Sequence, residues 1–286
     1  MSKKIETQTY ERFPVWRRIE HIIMVLSFST LGLTGIPQKY PSSTAGAAIL
    51  QALGGIENLR FVHHTAAIVM MFGTAWHILV MGYSVFVMRD KMSMLPSLQD
   101  AKDGIQALFY NIGFVKEYPK MGRYTFEEKL EYWAFVWGAA VMGATGFLMW
   151  NPITSTHYLP GEFVPAAKAA HGGEAVLAVL AIIIWHIYGV HIKRFNKAMF
   201  TGLQTEAEML HEHPLELDEI KAGSANRRPD RATIRKRQMI YFPIAAFLTL
   251  GMLAGILGFI NVEDTALTTI EPLTEPQIYV PQTPVP

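Results

Sequence analysis

The chain has 286 residues, half of them hydrophobic, with 25 basic against 24 acidic side chains and no cysteine. A formal net charge of +1 gives no reason to look for a nucleic-acid partner. The lack of cysteine excludes disulfides, thiolate-held iron–sulfur clusters and the C-x-x-C-H attachment of c-type haem within this chain, so any metal centre must rest on histidine, methionine or oxygen ligands.

The apolar residues gather in blocks. Met1–Arg18 is polar and basic, and Ile19–Ile36 follows it without a small-residue cleavage site, so this block reads as a retained helix rather than a removed signal peptide. Val62–Met88, Tyr132–Trp150, Gly172–His191 and Met239–Ile260 come next, and each block has the ~18 or more residues needed to cross a hydrocarbon core of ~30 Å. Between the second and third blocks, Leu98–Phe114 (LQDAKDGIQALFYNIGF) mixes charges and apolar residues at helical spacing, which predicts a helix lying on the membrane surface. The segment Ile192–Gln238 carries Glu206, Glu208, Glu212, Glu216, Asp218 and Glu219 and ends in the basic run Arg227–Arg237, expected against anionic headgroups. After Ile260 come five prolines (Pro272, Pro276, Pro281, Pro284 and Pro286) and no basic residue, the composition of an extended arm. No internal repeat is visible along the chain.

Lysine and arginine alternate between the segments that separate the blocks, 22 on one side against 3 on the other. By the positive-inside rule the N-terminus is cytoplasmic and the C-terminus extracytoplasmic. Five crossings require the same result. The expected fold is all-α, an integral membrane helical bundle. In it residues 1–18 form a cytoplasmic segment and 19–191 a four-helix core that includes the cytoplasmic connection 89–129. Residues 192–238 are a second cytoplasmic connection, 239–260 a fifth span and 261–286 an outer tail.

Seven of the ten histidines lie in or at the ends of these blocks: His21, His63, His64, His77, His171, His186 and His191. Ionisable groups at membrane depth are costly and each invites a functional reading. At ~1.5 Å per residue, His77 lies about 21 Å deeper than His63, and His186 about 22 Å deeper than His171. Two tiers result, an outer one with His63 and His171 and an inner one with His21, His77 and His186. At ~100° per residue, His63 and His77 share a face to within about 40°, and His171 and His186 to within about 60°. His64 and His191 point away by about 140° from His77 and His186 respectively. Two stacked b-type haems, each between two histidines, fit this pattern. Gly32, Gly35, Gly73, Gly138, Gly143, Gly146 and Gly189 offer room for them or simply close helix packing. Arg60, Arg17 and Arg18 are candidates for pairing with propionates or for interfacial anchoring, and Glu174 for orienting His171 or lining a proton path. The rival readings are a haem-free anchor, which has no reason to place histidines in two tiers, and a histidine-lined proton or metal transporter. The latter would be better supported by broken helices or paired half-sequences, which are not visible.

The segments RRIEHIIMVLSFSTLGLTGI, LRFVHHTAAIVMMFGTAWHI, MGRYTFEEKLEYWAFVWGAAVMGATGFLMW and AHGGEAVLAVLAIIIWHIYGVH resemble successive helices of the cytochrome b subunits that anchor respiratory formate dehydrogenases. The likeness spans approximately Arg12–Pro214, and related cytochromes b serve other redox enzymes. It implies a dihaem b-type cytochrome in a bacterial or archaeal cell (inner) membrane, passing electrons between a quinone pool and a partner redox subunit. Carried over by motif, His21 and His186 would ligate the inner haem, and His63 and His171 the outer one. His77 is extra to that pattern and stands as an alternative to His21. The resemblance further implies menaquinone or ubiquinone near the inner haem, with Glu128, Lys129, Glu131 and Tyr132 as polar candidates at the start of the third span. It also implies an extracytoplasmic iron–sulfur or multihaem cytochrome c partner, and no catalytic site for a soluble substrate. The fifth span and the tail are additional to the pattern.

Overall fold

The computed structural model describes residues 8–225 and 228–261. In chain order its elements are β1 (Thr9–Glu11), α1 (Val15–Lys39), α2 (Thr44–Ala52), α3 (Ile56–Met88), α4 (Leu98–Asn111), α5 (Phe126–Trp150) and α6 (Pro152–Tyr158). They continue with α7 (Phe163–Lys193), α8 (Ala198–Thr201), β2 (Leu203–Thr205), α9 (Glu206–Glu212), α10 (Pro214–Lys221) and α11 (Arg231–Asn261). The helices α1, α3, α5, α7 and α11 are long and apolar enough to cross a membrane, and the protein is an all-α membrane bundle. The proline-rich tail, residues 1–7, and Arg227 at the head of the basic run lie outside the described residues.

Each apolar block sits inside one long helix, and the helices run past the blocks because capping, not hydrophobicity, sets their ends. Thr125 and Glu128 satisfy each other's backbone N–H in a capping box that starts α5 six residues ahead of Tyr132. Ser97 and Asp100 do the same for α4. That helix takes the place of the expected surface helix and stops ahead of Gly113, at φ +83°, a backbone state glycine tolerates. The ends of α3 and α7, Ser84–Met88 and Ile182–Lys193, wind as π-helix, which slips an extra residue into the turn and rotates the faces that follow.

Helix α1 packs along α3 and α5 along α7; α1 also meets α7, and α11 leans on α3. Apart from Leu59 and Val87 of α3, the residues buried within the spans are small, among them Ser27 and Thr34 in α1, Ala66 in α3, Gly138 in α5 and Ala167 in α7. Close backbone approach through small residues is how helices associate where lipid removes the hydrophobic drive. Large apolar side chains such as Leu26, Phe61, Trp137, Ile184 and Phe247 instead stay exposed on the outer surface, as lipid-facing residues do. The fifth span is tied in by polar links, with the Tyr241 hydroxyl donating to the Leu79 carbonyl and Gln238 Nε2 to the Tyr83 hydroxyl at 2.8 Å.

The charged connections form an ordered cap where the sequence suggests only polar linkers. Strand β1 pairs antiparallel with β2, Tyr10 opposite Gln204, and this ribbon sets Arg12 at the base of the bundle. Arg12 is almost wholly buried. Its guanidinium donates to the Glu216 carboxylate of α10 and to the Arg123 carbonyl, and Arg123 donates to the other oxygen of Glu216. His213 completes the knot, with Nδ1 donating to the Gly122 carbonyl at 2.9 Å and Nε2 facing Arg12 at 3.2 Å. Removing one partner of such a buried ion pair strands the other charge, at a cost of about 3–5 kcal/mol. Lys129 of α5 holds Asp100 of α4 at 2.7 Å, joining the surface helix to the same end.

Burial, followed by the Arg12 charge, pushes the His213 pKa down to about 3, while the Gly122 hydrogen bond opposes the shift. The unfolded imidazole therefore binds a proton at a higher pH than the folded one. The cap's stability is full above the unfolded value of 6.5 and falls as pH drops toward about 3, by at most about 1.4 kcal/mol per pH unit. Limited proteolysis of the cap is expected to accelerate as pH is lowered from 7 to 5, and His213→Gln should flatten that dependence.

Candidate haem centre

The structure sorts the five histidines of the two tiers into pairs and one outlier. His63 of α3 and His171 of α7 face one another with ring centroids 6.4 Å apart. His21 of α1 and His186 of α7 do the same at 6.3 Å, nearer the capped end. Two imidazoles on opposite sides of one metal stand about 6 Å apart centre to centre, given a metal–nitrogen bond of about 2 Å and roughly 1.1 Å from nitrogen to ring centre. Both pairs have the spacing of an iron held from two sides. Among the described residues no group of three or more His, Cys, Asp or Glu is placed to cage a metal. A metal whose other ligands come from a bound cofactor would be held by such a pair of imidazoles.

Which nitrogen carries the proton follows from the partners. The Thr34 hydroxyl donates to the Thr30 carbonyl at 2.7 Å, so its contact with His63 Nδ1 at 2.8 Å is one in which the ring donates. Thr145 repeats this, donating to Val141 O at 2.6 Å and accepting from His171 Nδ1 at 3.0 Å. For His186 the acceptor is the Glu131 carboxylate, 2.8 Å from Nδ1. In all three rings Nδ1 is the donor, which leaves the Nε2 lone pair for a metal. Glycine gives the far pair its space, since a Cβ on Gly35 would lie 3.2 Å from His63 Cε1, and one on Gly146 3.4 Å from His171 Cε1.

His77 is held elsewhere. Its Nδ1 lies 3.4 Å from Glu20 Oε2 and its Nε2 3.1 Å from the Tyr132 hydroxyl. His64 stacks on Trp150 with centroids 3.9 Å apart, turned from the His63–His171 axis, and His191 packs edge-on to His186. The partner of His171 is Thr145 and not Glu174, whose carboxylate lies over Gly138 across the α5–α7 contact. Arg17 reaches Met81 Sδ and Glu20, Arg18 donates to the Phe200 carbonyl, and Arg60 pairs with Glu57 at 3.9 Å.

These contacts overturn the expectation of no internal repeat. Glu20, Thr34 and Gly35 of α1 recur as Glu131, Thr145 and Gly146 of α5 at a constant offset of 111 residues. His63 and His77 of α3 recur as His171 and His186 of α7 at offsets of 108 and 109, with the π-helical winding from Ile182 absorbing the extra residue. In each half Thr holds the far histidine and Glu the near one. Thr34, Thr145 and the role of Glu131 escape a reading confined to histidines. The legible signal was the Thr-Gly pair repeated in the first and third spans.

A helical membrane bundle with paired, oriented imidazoles defines a membrane cytochrome b. Residues 12–202 match the prokaryotic cytochrome b561 family, and the chain belongs to it. It is 24% identical over 223 residues to the formate dehydrogenase cytochrome b556(fdo) subunit of Escherichia coli (strain K12), an alignment covering 74% of this chain and 94% of that relative. To the nitrate-inducible formate dehydrogenase cytochrome b556(Fdn) subunit of the same organism it is 21% identical over 210 residues, covering 73% and 91%. The protein is thus a multi-pass respiratory cytochrome b of a prokaryotic membrane, an electron-transport subunit that takes haem b.

Thr145→Val keeps the shape of the threonine and removes the acceptor, leaving the His171 N–H unpaired at a cost of about 1–3 kcal/mol. Haem is expected to be released at a lower temperature in this variant, read as loss of haem absorbance on heating.

Proposed function

We propose that the chain carries two b-type haems, one between His63 and His171 and one between His21 and His186, and exchanges electrons between a quinone pool and a partner redox subunit across the membrane. The observation that supports this best is the pair of imidazole separations, 6.4 and 6.3 Å, each suited to one iron. His77 is the weaker candidate for the second site, because its two nitrogens already face Glu20 and Tyr132. The dihaem unit is the four-helix core of α1, α3, α5 and α7, to which α11 is an addition.

Haem b, when bound, supplies a one-electron couple; the protein supplies its ligands, its placement and its surroundings. His63 and His171 present Nε2 near the end of the bundle far from the cap, and Thr34 and Thr145 hold those rings in one tautomer. His186 is different because its N–H goes to a carboxylate. A charged acceptor gives the ring anionic character and favours the more positive oxidation state of a metal on its other nitrogen. The small residues between the helices and the apolar outer surface keep bulk water from both levels.

The concentration of lysine and arginine at the capped end supports a cytoplasmic cap and N-terminus, with α11 ending on the outer face. The relatives' names, cytochrome b subunits of formate dehydrogenases, support a partner redox subunit, which in this reading is an iron–sulfur or multihaem cytochrome c subunit on the outer face. Quinone, menaquinone or ubiquinone, would be served near the cytoplasmic pair.

Haem quantified per purified chain tests the reading, with about two expected for the wild type. His21→Ala should lose one haem and His77→Ala none; the reverse result would assign His77 to the iron. Glu131→Gln keeps an acceptor but removes its charge. The midpoint potential of the haem nearer the cap is then expected to rise by about 60 mV, a tenfold change in relative affinity for the two oxidation states of a one-electron couple, as read by redox titration.

A further inference from the structure

The two halves of the core agree at every level except one. At the capped end α5 carries Glu131 beside His186 and α1 carries Glu20 beside His77. The residue after each glutamate differs. After Glu20 comes His21, which faces His186 across an iron-sized gap. After Glu131 comes Tyr132, which faces His77, and there the gap is closed by a 3.1 Å contact between the hydroxyl and Nε2. Two ligands on opposite sides of one metal are about 4 Å apart, so the Tyr132–His77 pair has no room for one. What remains is a chain of polar groups, Glu20–His77–Tyr132, inside membrane spans where such groups are costly.

The hydrogen-bond inventory says what this chain can take. Glu20 accepts from His77 Nδ1, so Nε2 has no proton and accepts from the Tyr132 hydroxyl. The Tyr132 oxygen is left with lone pairs only. Glu20 is itself braced by Arg17 at 3.6 Å and is mostly buried, with Oε1 lacking a hydrogen-bond partner among the described residues. The site therefore offers acceptors and calls for a ligand that donates O–H. The surroundings are apolar: His77 lies in a membrane-spanning helix between the exposed Trp76 and Ile78, and Trp133 beside Tyr132 is exposed as well. A ligand with a hydroxylated head and an apolar tail meets both conditions.

The other polar side chains at the start of α5 are already engaged. Glu128 closes the capping box and faces Arg12 at 3.7 Å, Lys129 holds Asp100 at 2.7 Å, and Glu131 accepts from His186. We propose that the Tyr132 hydroxyl, positioned by His77 and through it by Glu20, is the hydrogen-bond acceptor for the head group of a quinol, between α3 and α5. The assignment rests on the quinone-linked function proposed above and places its substrate at the repeat-related counterpart of the His21–His186 pair.

The test uses the full-length, haem-loaded protein in lipid nanodiscs with menadiol and decylubiquinol as probes. The half-saturating quinol concentration for haem reduction is measured alongside haem per chain and both midpoint potentials. Tyr132→Phe is expected to raise that concentration about tenfold, the loss of roughly one hydrogen bond, with haem content and potentials at wild-type values. His77→Gln should do likewise, and its haem content separates this role from iron ligation. Unchanged concentrations in both variants, or loss of a haem in His77→Gln, would overturn the site. So would a tenfold rise in Lys129→Gln with none in Tyr132→Phe, which moves the site to the start of α5. If neither quinol reduces the wild-type haem, the quinone-linked reading itself fails, an outcome distinct from a wild type that is reduced and variants that match it.

Discussion

An imidazole inside a membrane has one N–H that must find an acceptor and one lone pair that is free only if it does. This requirement organises the core of the protein. The acceptors come from neighbouring helices, Thr34 of α1 for His63 of α3 and Thr145 and Glu131 of α5 for His171 and His186 of α7. Each hydrogen bond joins the two helices of a pair, orients a ring toward the other pair and decides which nitrogen is presented. Helix association, ligand geometry and tautomer are thus settled by the same contacts. Changing one acceptor disturbs all three, because an unmet N–H in a low-dielectric interior has no water to turn to.

The cap does comparable work outside the hydrocarbon layer. A three-residue ribbon and two short helices bring the buried Arg12, His213 and Glu216 and the part-exposed Arg123 into one network beneath the starts of α1 and α5. Buried ion pairs seldom add much net stability, but they penalise alternatives that separate the partners. Here the alternatives are other registers between α1 and α5. A one-residue slip of either helix would rotate its glutamate and threonine by about 100° away from their histidines.

The duplicated plan also explains how one bundle holds unlike sites. The far level keeps the symmetry, with a threonine-held histidine from each half meeting across the centre. The near level breaks it through a single exchange, His21 in one half against Tyr132 in the other. One residue type converts a pair spaced for a metal into a closed hydrogen-bonded chain. A repeated plan made inequivalent at one level sets unlike groups at the same depth without a new scaffold.

The sequence by itself determined the five spans, the helix that starts at Leu98, the family and the two tiers of histidines. These follow from periodicity, charge and rise per residue, which are local and survive without knowledge of the partners. It left His21 and His77 as rivals, because depth and facing on one helix do not say which neighbour lies opposite. It showed no repeat, because the equivalent residues are few and lie 108–111 positions apart amid unrelated lipid-facing side chains. It also passed over the cap, whose ion pairs join residues as far apart as Arg12 and Glu216. Only the tertiary structure decided those points: which ring faces His186, which acceptor holds each N–H, and that Tyr132 answers His77. Each depends on how α1, α3, α5 and α7 are placed around one another, and that placement is a property of packing between helices rather than of any one of them.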